Sequence, residues 1–359
     1  MNRPTTAPAP RAGLVTRVIL AVAAVVGAFL VVFPLATSLP GKSSASGALM
    51  TAMRPSMSDA VLAQGRTDQA TVGAMAKQMN EQMLPALAAQ MHASPAQLSA
   101  YFGQNLPATA RGMGELQQLQ ASFGNLQATM EQQQSNFRQA DQIPTSYLPP
   151  TSMTWLYILP GALLIAIAGL GFFRPGWTRR MLAGASIVGM VMAVGLLATS
   201  MYGKASAADE MTSAFKPIFA SSSVAQLHTL GSDAAAMSTE LTTTAVPALA
   251  TALHVTPSQL AATMATSYPD VVSGMQALPA IVGRMQGAVG LIEAQASNFE
   301  QSASIPWSPG SMVGMFWAMM APALFVALLG AAGVVAATPT GAVAVTRRRF
   351  TLRPGAQHH

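Results

Sequence analysis

Four stretches of the chain run apolar with no charged residue, at 18–39, 153–173, 181–201 and 311–337. Each is long enough to cross the hydrocarbon of a bilayer, which takes roughly 20 apolar residues. The first follows Arg11 and Arg17, as a secretory leader would. Its apolar part is too long for a leader's core of about 7–15 residues, so an uncleaved anchor is expected. Between the apolar runs lie two long mixed connections, 40–152 and 202–310, and neither shows the period-two alternation of strands. The last long segment of each has 3-4 spacing instead. In the first it runs Leu116, Leu119, Phe123, Leu126, Met130, Gln133, Phe137. In the second it runs Leu278, Ile281, Met285, Ala288, Ile292, Gln295, Phe299. That spacing places each set on one face of a helix, a seam of coiled-coil type. Gln133 and Gln295 interrupt the seam at the same place, either as register-setting core amides or because the seam ends there in water. The pattern as a whole predicts an all-α integral membrane protein with four transmembrane helices and three to five helices in each connection.

The connections resemble each other because the chain repeats. Shifted by 162 residues, 16–160 aligns without a gap on 178–322, and 48 of those 145 positions are identical. "LPALAAQMHASPAQL" (84–98) falls on "VPALATALHVTPSQL" (246–260), and "QQQSNFRQADQIP" (132–144) on "AQASNFEQSASIP" (294–306). A tandem duplication of span, helical domain, span is therefore expected. Two spans per unit give both copies the same orientation, so the pseudo-twofold axis would lie along the membrane normal, as in parallel repeats. Ala23-x-x-x-Gly27 recurs as Ala185-x-x-x-Gly189, small residues of the kind that let helices approach closely in lipid. Abundant small residues in an Ala-rich chain are the plain alternative. Pro160 and Pro322 recur inside the second and fourth spans and predict a kink in each.

Charge orients this layout. Arg3, Arg11 and Arg17 precede the first span, Arg174, Arg179 and Arg180 fill the short loop 174–180, and Arg347, Arg348, Arg349 and Arg353 follow the last span. No acidic residue occurs in these three segments. By the positive-inside rule, the tails 1–17 and 338–359 and the loop are cytoplasmic, and the domains 40–152 and 202–310 lie outside. The net charge of +6 thus reads as a topology signal rather than a nucleic-acid surface. Charged residues make up only 9% of the chain, against about 25% in soluble domains, which fits a membrane protein. The Ala-rich composition suits a GC-rich bacterial genome, and a multi-pass protein of the inner (cytoplasmic) membrane is expected. With no cysteine, disulfides and thiolate chemistry are excluded.

Candidate chemistry is sparse. "ATSLPGKS" (36–43) approaches a phosphate-binding loop, but it follows a membrane span rather than a strand. Its counterpart "ATSMYGKA" (198–205) lacks the hydroxyl, and both lack the first glycine. Lys42 and Lys204 read instead as boundary lysines reaching toward head groups. His92 beside Ser94, and His254 beside Thr256, could suggest a nucleophile. Ser94 and Thr256 are explained as N-caps ahead of Pro95 and Pro257. The histidines would then close the preceding helices. Met75, Met79, Met83 and Met91 could form a thioether path for Cu(I). Their counterparts are Met237, Leu241, Ala245 and Leu253, which favours apolar packing or an adaptable apolar groove. No span contains Asp, Glu, Lys, Arg or His, which argues against an ion-coupled pump.

The expectation is a protein that is not an enzyme and carries no cofactor or metal. It would be an envelope scaffold or accessory subunit whose helical ectodomains bind a protein partner, with the lipid bilayer as its other contact. The alternative is a transporter component binding a lipid or other hydrophobic cargo between its halves. Signalling across the membrane is a third class, weakened by short cytoplasmic segments.

Overall fold

The computed structural model describes residues 10–143, 148–149, 152–304 and 311–337, except the side chains of 10–13, 116 and 175. The terminal arginines Arg3, Arg347, Arg348, Arg349 and Arg353, the Ile-Pro joints at 144 and 305–306, and the side chain of Leu116 lie outside the described residues.

The described chain is helical, with no strand. Helices α1 (Pro10–Ala36), α7 (Met153–Phe173), α8 (Thr178–Ala198) and α14 (Met312–Ala336) are the four long and apolar enough to cross a membrane. Between α1 and α7 come α2 (Leu39–Met53), α3 (Asp59–Gln78), α4 (Leu84–Gln90), α5 (Pro95–Asn105) and the long α6 (Pro107–Ala140). Between α8 and α14 come α9 (Met201–Phe215), α10 (Ser221–Glu240), α11 (Val246–Ala252), α12 (Pro257–Ser267) and the long α13 (Pro269–Ala303). Among the described residues, five α-helices in each connection follow one another in the same order.

Local devices recur at the 162-residue offset. Ser38 and Ser200 both take left-handed φ values (53° and 52°) and end the spans, so α1 and α8 do not run on into α2 and α9 as one helix. Ser94 and Thr256 each form a capping box with the glutamine three residues on, Gln97 and Gln259. His92 and His254 adopt left-handed φ values of 50° and 54°. In each case the following amide reaches back to close the turn, Ala93 N–H to Ala88 O and Val255 N–H to Ala250 O (2.9 and 3.0 Å). The backbone of each histidine thus ends its helix by the Schellman motif, and the ring is exposed. A π-helical turn, Met79–Met83 and Leu241–Ala245, precedes Pro85 and Pro247 in both connections. Proline offers no N–H to the carbonyl four residues back, and widening the ladder by one residue lets the helix continue through it.

The chain divides into two compact units, one holding 1–33, 157–195 and 318–359 and the other 34–156 and 196–317. In the first, α1 meets α7 where a Cβ on Gly27 would stand 2.7 Å from the Gly161 carbonyl oxygen. At the matching place on α8 and α14, a Cβ on Gly189 would clash with the Ala323 carbonyl oxygen. Ala23 and Ala185 are buried one turn away. Ser186 donates a hydrogen bond across to the Ala327 carbonyl (2.8 Å). Pro160 and Pro322 lie inside α7 and α14, and both helices continue through them.

The second unit contains both connections. The sequence layout sets 40–152 and 202–310 apart as two domains, whereas here they interleave: α2 and α3 pack along α13, and α9 and α10 pack along α6. A seam on α6 or α13 specifies an apolar face but not which copy's helices cover it.

Candidate functional site

The contact between the connections is the most developed feature of the second unit, and it is built from reciprocal pairs. Met237 on α10 lies over Gly112 of α6, and Met75 on α3 lies over Gly274 of α13. A Cβ on Gly274 would come within 2.6 Å of the Met75 sulfur, so only a glycine admits the thioether there. Both methionines are 2% exposed.

The start of each long helix is capped from across this contact. Neither α6 nor α13 has a local side-chain cap, since Leu106 and Tyr268 occupy the N-cap positions. The Thr109 N–H donates to Glu240 Oε2 (2.5 Å), at the end of α10. The Val271 N–H donates to Gln78 Oε1 (3.0 Å), at the end of α3. An N-terminal cap of this kind is worth about 1 kcal/mol, and here that stabilisation depends on both connections being present.

The ends of the same helices are tied in the same way. Lys42 Nζ donates to the Ser304 carbonyl (2.7 Å), and Lys204 Nζ donates to the Gln142 carbonyl (3.1 Å). A cation at a helix C-terminus complements the macrodipole. These lysines therefore hold helix ends. Arg284 on α13 adds a two-pronged pair with Asp68 on α3 (2.7 Å to each oxygen). That pair has no counterpart, since Ser122 and Leu230 stand at the matching positions, and a further tie also lacks one. The Asp209 carboxylate accepts from Ser311 Oγ (2.6 Å) and from the Met312 and Val313 amides (2.6 and 3.0 Å), capping the first turn of α14. The matching position in the first copy is Gly47.

The seam residues line the same contact. Leu119, Leu126 and Phe137 are buried on α6, and Phe123, Met130 and Gln133 are half-buried. Leu278, Ile281, Met285, Ile292 and Phe299 are buried on α13, with Ala288 and Gln295 half-buried. Each seam glutamine accepts a hydrogen bond from the asparagine three residues on, Asn136 to Gln133 and Asn298 to Gln295 (2.8 Å both). Phe299 stacks face to face on Phe219 with centroids 4.3 Å apart.

The helix-packing residues Ala23, Gly27, Ala185 and Gly189 belong to the first unit and take no part in this contact. Sequence reasoning missed the crossed caps, because Gln78 and Glu240 look like ordinary helix-end polar residues. It also missed Met75 over Gly274 and Met237 over Gly112. There a signal existed: Met75, Gly112 and Met113 are each identical to their counterparts Met237, Gly274 and Met275.

Three cavities bear on what the unit could hold, with volumes of about 30, 10 and 40 Å³. The largest lies among Phe215, Phe219, Met53, Met130 and Ile292. Among the described residues no group of three or more His, Asp or Glu is placed to hold a metal ion. One carboxyl is perturbed: Glu115 on α6 is held above the usual carboxylate range, first by loss of solvation and then by the charge and hydrogen bond of Asp233 on α10, with Arg111 acting the other way.

No protein-family model matches the chain, and no curated protein is significantly similar to it.

Proposed function

We propose that the chain is a tandem duplication acting as a non-enzymatic scaffold or accessory subunit of a larger membrane complex. Its interleaved helical domains would stand outside the inner membrane and bind a partner protein, with both termini in the cytoplasm. The observation that carries this reading is the reciprocal interlock. Four kinds of tie (methionine on glycine, crossed N-terminal caps, lysines on helix ends, and shared seams) bind the two similar segments into one compact unit. Such a body suits holding and positioning better than turnover.

Gentle detergent extraction followed by mass spectrometry of co-purifying proteins and lipids tests the choice. A stoichiometric protein partner supports the scaffold, a retained lipid species supports cargo binding, and a bare monomer with neither overturns both. The absence of cysteine gives a clean background for testing the sidedness. Ser99→Cys, on exposed α5, is expected to react with a membrane-impermeant maleimide in intact cells, and Gly176→Cys only after lysis. The reverse result would invert the topology.

A further inference from the structure

We propose that the cavity of about 30 Å³ between the two connections is a binding site for a soft monovalent cation, Cu(I) in the first instance. Six methionines line it: Met75, Met79, Met83, Met113, Met237 and Met275. They come from four separate helical segments, so the fold gathers them from positions far apart in the chain. No carboxylate or imidazole is among the lining residues, which leaves hard cations without a ligand. Thioether sulfur is a soft donor and selects Cu(I) over Mg²⁺, Ca²⁺ or Zn²⁺. The cavity is of the size of a single ion, and Met83, Met113 and Met275 are half-exposed, which gives access from solvent.

Packing on Gly274 and Gly112 fits the recurrence of Met75 and Met237, but no glycine is matched in this way to Met113 or Met275. Across the 162-residue offset, Met50, Met53 and Met57 become Thr212, Phe215 and Phe219, while Met79, Met83 and Met91 become Leu241, Ala245 and Leu253. Apolar filler is therefore freely exchanged. Only three methionine pairs are identical, and two of them, Met75 with Met237 and Met113 with Met275, line this one cavity. Thr109, 2% exposed, also lines it, and its hydroxyl has no hydrogen-bond partner. Binding is simple coordination with no electron transfer, and it stands apart from any partner on the outer surface.

The test uses the full chain in detergent, with His358→Ala and His359→Ala to remove the terminal imidazoles. Cu(I) is titrated anaerobically against a chromophoric competitor, and Ag(I) serves as a redox-inert probe for native mass spectrometry. One equivalent is expected to bind, with a sulfur-only shell in X-ray absorption. The variant Met75→Leu/Met113→Leu/Met237→Leu/Met275→Leu is expected to bind about a hundredfold more weakly, while Met50→Leu/Met57→Leu binds as the parent does. No binding by the parent, or equal binding by the fourfold variant, overturns the proposal. Should the fourfold variant fail to fold, Met113→Leu/Met275→Leu at the half-exposed positions is expected to weaken binding about tenfold, and unchanged binding there overturns it equally.

Discussion

The pairing of α3 with α6 and the pairing of α10 with α13 occupy the same place in the two copies but are filled with different chemistry. In the first, Gly65 faces Gln127, whose amide donates to the Leu62 carbonyl (2.8 Å) and to Glu131 (2.8 Å). Gly73 faces Gln120, and Gly124 faces Gln69. In the second, Leu227 and Val289 stand at the positions of Gly65 and Gln127, and Ala235 and Val282 at those of Gly73 and Gln120. Leu227, Val282 and Val289 are buried. At the third position the partners exchange sizes: Gln69 and Gly124 become Gly231 and Gln286. One backbone arrangement is thus met either by a long amide lying over glycine or by two apolar side chains. What the architecture requires is complementary volume at each crossing, and glutamine can supply it where its amide finds a carbonyl.

Separating the copies gives the largest effect. Most of the cover on α6 comes from α9 and α10, and α13 draws on α2 and α3 as well as α10. Expressed alone, 1–176 is expected to be degraded or aggregated, because its polar α3–α6 layer lacks the apolar area to stand by itself. The other half, 177–359, keeps the apolar α10–α13 pair and is expected to survive longer. Co-expression should restore a complex that co-purifies. Accumulation of 1–176 as a folded species on its own would break the interlock argument.

Next comes Val289→Gln, which puts an amide into the apolar pairing. With Leu227 opposite instead of a glycine, the amide has neither room nor a freed carbonyl, and a loss of about 3 kcal/mol is expected from desolvation and overpacking. Gly65→Leu makes the converse error, since its Cβ would overlap the Gln127 side chain. Its expected cost is about 2 kcal/mol, recovered in large part by adding Gln127→Val. SDS or thermal unfolding midpoints in detergent read all three. Equal stability of Gly65→Leu with and without Gln127→Val would show that the two pairings are not volume-matched solutions of one crossing.

These details also mark how far the sequence could be read. The four apolar runs are the four span-length helices, within a few residues at each end. The Ser94 and Thr256 caps were readable because a cap acts within four residues of itself. The seams were readable as faces, since periodicity reports which side of a helix is apolar. Periodicity says nothing of the partner, however, and two connections of similar sequence offer equivalent partners within and across. The interleaving of α2 with α13, and of α9 with α6, was therefore hidden. So were the crossed caps of Thr109 by Glu240 and Val271 by Gln78, which exist only once the copies are together. The π-helical turns could have been anticipated from Pro85 and Pro247, each inside an otherwise continuous helical pattern.

The smallest expected effect is a pH dependence confined to one copy. Glu115 on α6 shares its surroundings with Asp233 and Arg111, whereas the matching positions on the other pairing are Ala277, Thr71 and Ser273. Because the folded chain holds the Glu115 carboxyl above the usual range, it binds a proton there that the unfolded chain has already released. Stability then falls as pH rises from the ordinary glutamate value of about 4.3 through the raised one, and is level above it. Glu115→Gln keeps the size and the neutral form, so its unfolding midpoint should lose that decline and match the parent only at the acid end. A parent and a variant that decline in parallel would place the titration elsewhere. Ala277→Glu, lacking Asp233 opposite, should not install the same slope.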